Sequence, residues 1–73
     1  MAKAIYSAEQ KYLVSQLRKA RLEMGLDQRD VAKKLGYTQS YISKIELGQR
    51  KIDIFLLRTM AKIYKKPLDY FLK

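Results

Sequence analysis

Cysteine, histidine and tryptophan are absent from this 73-residue chain, which carries only three glycines and one proline. Without cysteine there is no disulfide, and without cysteine or histidine the usual soft and imidazole metal ligands are gone. Thiol and imidazole catalysis go with them. The seven acidic residues are scattered: Asp27 and Asp30 flank a helix start, while Asp53 and Asp69 fall at caps or exposed turns. No nucleophile–base pair and no Gly-rich phosphate cradle is visible, so neither an enzyme, a cofactor nor a metal is expected. No apolar run is long enough to span a membrane, and the opening MAKAIYSAEQ lacks the apolar core and cleavage site of a signal peptide. The reading is a cytoplasmic protein with no membrane partner, and the lack of cysteine fits a reducing compartment.

What the chain has in excess is positive charge. Sixteen basic and seven acidic residues leave a net +9, which favours polyanions, nucleic acid before anionic membrane. The charge is spread: +3 over residues 1–26, +2 over 27–53 and +4 over 54–73. It supports nucleic-acid binding without locating it. Seventy-three residues allow one domain, with a core small enough that caps, a buried ion pair or oligomerisation should matter.

The organising stretch runs from Gln28 to Glu46, QRDVAKKLGYTQSYISKIE. It reads as two short helices joined by a tight turn. Ala32 is small where one helix must cross its neighbour, and Gly36 stands where the first helix stops and the backbone needs a positive φ. Ile42 and Ile45 of the second helix recur three apart on one face, and Val31 and Leu35 face them from the first. Gln39, Ser40, Ser43 and Lys44 are left on the opposite, outward face. A helix held by one side and polar on the other suits a DNA major groove.

The spacing of Gln28, Ala32, Gly36, Ile42 and Ile45 resembles the helix-turn-helix of the phage-repressor (Cro/CI-type) family, and the likeness extends from about Leu17 to Phe71. The run Gln-Ser-x-Ile-x-Lys from Gln39 is especially similar to the recognition helix of Cro repressors. The resemblance implies an all-α, compact five-helix bundle of the lambda-repressor-like type with a central helix-turn-helix. Residues 1–7 would be an N-terminal arm, and 8–73 the DNA-binding domain including C-terminal dimerisation helices. It further implies that Arg21, four residues before Gly25, pairs with Glu46. Arg21 on a phosphate is the alternative. Gln28 would donate its amide to a phosphate, beside a helix end whose N–H groups form an anion site.

The recognition helix then assigns itself by chemistry. Gln39 can bond adenine bidentately, Ser40 and Ser43 can meet base edges, and Lys44 can reach guanine O6 and N7. Thr38 is placed to cap this helix at its phosphate-facing end. Tyr41 can either pack beside the core or set its hydroxyl against a phosphate. Gln49, Arg50 and Lys51 form a polar loop that would clamp the sugar-phosphate backbone without reading sequence. Asp27, an acidic cap where relatives use uncharged residues, argues against a close backbone approach at that spot.

Around this centre, Ser7 and Gln10 have capping-box spacing, so a first helix should begin near Ala8. Leu13, Leu17, Ala20 and Met24 form its buried stripe, and Gly25 ends it. Asp53 should cap a fourth helix, Ile54 to Tyr64, with Ile54, Leu57, Ala61 and Tyr64 turned to the core. Pro67 suits the first turn of a fifth helix in which Leu68 and Phe71 finish the core. Phe55, Leu56, Ile63, Tyr70 and Leu72 are then surplus, and a contiguous apolar surface of this kind marks an interface. A second copy of the chain is the simplest occupant. The expectation is a homodimeric, sequence-specific double-stranded DNA-binding regulator, with repression the role its Cro-like motif implies. The alternative is an antitoxin-like module that neutralises a small protein partner through the C-terminal apolar surface.

Overall fold

Four α-helices and one short 3-10 helix make up the computed structural model, which describes residues 8–72. The expected arm, and the Ser7 half of the first capping box, lie outside the described residues. Helix α1 runs Ala8–Glu23, α2 Gln28–Leu35, α3 Gln39–Glu46 and α4 Ile54–Tyr64; the 3-10 helix is Leu68–Phe71. No strand occurs among the described residues. None of the helices is long and apolar enough to cross a membrane, among the residues described.

Local chemistry sets the boundaries. Asp27, Thr38 and Asp53 each sit in extended backbone and accept a hydrogen bond from the N–H three residues on, starting α2, α3 and α4. Helix α2 stops at Gly36, whose φ of 77° lets the Tyr37 N–H turn back onto the Ala32 carbonyl at 2.9 Å. Helix α4 ends the same way without a glycine. Lys65 takes φ 57° there, a conformation that costs an L-residue energy. Its neighbour Lys66 closes the turn by donating its N–H to the Ala61 carbonyl at 3.0 Å.

The apolar faces then converge. Leu17 and Ala20 of α1, Val31 and Ala32 of α2, Ile42 and Ile45 of α3, and Leu57, Met60, Ala61 and Tyr64 of α4 form one core with Phe71. Leu13, Met24, Leu35 and Leu68 pack half-buried at its edge.

Two expectations are corrected here. The fifth helix is a single 3-10 turn: it spans only Leu68–Phe71 and gives way to extended backbone at Leu72. Ile54 is not core: it is 48% exposed, and Met60 is fully buried instead. The buried stripe of α4 centres on Met60, with Leu57, Ala61 and Tyr64 around it, and Ile54 falls at its edge in the first turn, beyond the packed neighbours.

Candidate nucleic-acid interface

Helix α3 is held from behind. Ile42 and Ile45 are both 0% exposed, while Gln39, Ser40 and Lys44 are exposed and Ser43 is half-buried. Eight residues give two turns, so the polar side chains of the first turn and Lys44 of the second share one outward surface. Thr38 starts it: its Oγ1 accepts the Tyr41 N–H at 3.2 Å.

The far end of α3 is fixed by charge. Arg21 Nε donates to Glu46 Oε2 at 2.8 Å and Arg21 Nη2 to Glu46 Oε1 at 3.0 Å, a bidentate fork. Arg21 Nη1 also donates to the Leu26 carbonyl at 3.0 Å. The two side chains are 8% and 3% exposed. The Glu46 carboxylate holds the guanidinium above its ordinary pKa range against the opposing effect of burial. Arg21 is therefore engaged in joining α1, the α1–α2 turn and α3. Tyr64 lies buried nearby, and desolvation raises its hydroxyl pKa well above the ordinary phenol value.

Gln28 joins the same group. Its Nε2 donates to Glu46 Oε1 at 3.1 Å, so one amide hydrogen is engaged inside the protein and the amide orientation is set by the ion pair. The mouth of α2 beside it differs from the expected anion site. The Asp30 N–H goes to Asp27 Oδ1 and the Asp27 N–H to Asp30 Oδ2, each at 2.9 Å. This capping box fills that helix end with two carboxylates, which oppose a phosphate there. The backbone N–H of Asp30 holds the Asp27 carboxyl below its usual range.

Beyond α3, Gln49, Arg50 and Lys51 are all exposed. The Gln49 N–H returns to the Lys44 carbonyl at 2.9 Å, folding this loop back against the end of the helix. Tyr41 is half-buried, its ring 4.4 Å from that of Tyr37 at 42°, with the Arg50 guanidinium carbon 4.6 Å from its centroid. Sequence reasoning missed this stack. Its only signal was an aromatic pair four residues apart across a helix start.

The apolar surplus separates into two groups. Phe55 is 71% exposed and Leu72 is exposed too, whereas Leu56, Ile63 and Tyr70 pack half-buried against the core. Exposed Ile54 adjoins Phe55 in sequence. Tyr70 is further covered by Lys66, whose Nζ lies 4.7 Å from its ring centroid and 3.0 Å from Glu23 Oε1.

A family model described as helix-turn-helix matches residues 17–71. Neither the curated proteins nor the solved structures gave a match.

Proposed function

Because the chain belongs to the Cro/CI-type helix-turn-helix family of DNA-binding transcription regulators, we propose that it acts as a homodimeric, sequence-specific repressor. Each subunit lays α3 in the major groove of one half-site, the two half-sites lying about 34–36 Å apart along the duplex. The observation that carries this reading is the split of α3: Ile42 and Ile45 fully covered, Gln39, Ser40 and Lys44 uncovered.

Gln39, Ser40, Ser43 and Lys44 read base edges, each good contact contributing roughly 1–3 kcal/mol of discrimination. Thr38, Gln49, Arg50, Lys51 and the second amide hydrogen of Gln28 meet the phosphates, and supply most of the affinity and its salt dependence. Repression is steric, by occupancy of a promoter. A cytoplasmic location follows from that role.

Selection of bound sites from random duplexes tests the reading, and a palindromic consensus is expected. Lys44→Ala should relax the preference at one position in each half-site. Lys51→Ala should weaken all duplexes about equally and reduce the slope of log affinity against log salt by about one. Equal loss of selectivity from the two variants would overturn the residue assignment. Copurification of a small protein seated on Phe55, with no duplex preference, would favour the antitoxin-like alternative.

A further inference from the structure

The loop after α3 has a feature that a solvated cation does not need. Arg50 follows the tight turn at Gly48, and its guanidinium carbon stands 4.6 Å from the centre of the Tyr41 ring. Among the described residues it has no carboxylate within ion-pair distance, so the π face is what holds it. Tyr41 is itself fixed. Its N–H is capped by Thr38 at 3.2 Å, its ring is half-buried beside the core, and the Tyr37 ring packs on it at 4.4 Å.

We propose that Tyr41, buttressed by Tyr37, is a positioning residue that holds the Arg50 guanidinium ready for a DNA phosphate. This rests on the DNA-binding reading above and deepens it. Held over the ring, the guanidinium keeps N–H donors that the ring does not occupy, and these remain for phosphate oxygens. A free arginine must be ordered when DNA binds, a loss equivalent to about two- to tenfold in affinity for one flexible side chain. A guanidinium already held over a ring avoids much of that loss. Tyr41 thus acts through its ring rather than through its hydroxyl.

The test compares Tyr41→Phe, which keeps the ring, with Tyr41→Leu, which removes it, in binding to the selected duplex at several salt concentrations. Tyr41→Phe should bind within about twofold of the unaltered protein, Tyr41→Leu about fivefold more weakly and Arg50→Ala about tenfold more weakly. The double variant Tyr41→Leu/Arg50→Ala should be no weaker than Arg50→Ala alone, because the ring acts only through the arginine. In the free protein, the Arg50 Hδ protons should show an upfield ring-current shift that survives in Tyr41→Phe and vanishes in Tyr41→Leu. Tyr37→Leu, at an exposed turn position, gives the same comparison if Tyr41→Leu does not fold. It should reduce affinity about twofold, and only while Arg50 is present.

Loss in Tyr41→Phe equal to that in Tyr41→Leu would assign the effect to the hydroxyl and overturn the proposal. So would additive losses in the double variant, or unshifted Arg50 protons in the unaltered protein. A protein that binds no duplex at all overturns the DNA reading and this inference together. One that binds but fails the Phe–Leu comparison overturns only the inference.

Discussion

Arg21 shows how one side chain fastens two helices that share no sequence neighbourhood. Its fork on Glu46 is nearly dry, so removing either partner strands a charge where water cannot reach it. Arg21→Ala and Glu46→Gln should each destabilise the protein by about 3–5 kcal/mol in urea titrations. Replacing both together, Arg21→Met with Glu46→Leu, should recover much of the loss. A double variant as unstable as the sum of the singles would mean that the pair is not the unit. Gln28 supplies a further readout. With the Glu46 carboxylate removed outright its amide loses the acceptor that orients it, so Glu46→Ala should also weaken DNA binding beyond its effect on folding.

Helix α2 is the element where charge and geometry meet. Its first turn holds the Asp27–Asp30 capping box, and its last turn carries Lys33 and Lys34, so both ends complement the helix dipole. The Asp27 carboxyl has a folded pKa below its unfolded value of about 3.9. A depressed carboxyl contributes stability that is present above the unfolded pKa and lost as pH falls through the folded one. Asp27→Asn should therefore lower the melting temperature at neutral pH, and the gap to the unaltered protein should close below about pH 3.9. A gap independent of pH would show that the charge contributes nothing beyond the cap.

At the scale of the whole molecule, the net charge of +9 and the exposed Phe55 pull toward different partners. Charge favours the duplex, and an uncovered aromatic favours a protein surface. In the proposed dimer the two-fold axis passes near Phe55, so each subunit presents the same patch to the other. Phe55→Glu should leave the fold of the subunit intact, because the ring is not in its core. It should shift sedimentation to the monomer and weaken binding to a full palindrome far more than to a half-site. An unchanged sedimentation profile would move the interface elsewhere.

The chain by itself determined the positions where local rules are strict. Asp27, Thr38 and Asp53 can cap only the helix that begins at the next residue, Gly36 meets the demand for a left-handed residue, and the isoleucine spacing fixes the buried side of α3. The Arg21–Glu46 pair was legible only through the family likeness, since nothing local joins residues so far apart. Tertiary structure alone decided the rest. It left Ile54 outside and brought Met60 in, because which of several apolar residues on α4 is buried depends on what packs against it. It shortened the last helix to one 3-10 turn, and it brought Arg50 over Tyr41 and Gln28 onto Glu46. Propensity and periodicity act over a few residues, whereas these contacts exist only once distant segments have been folded together.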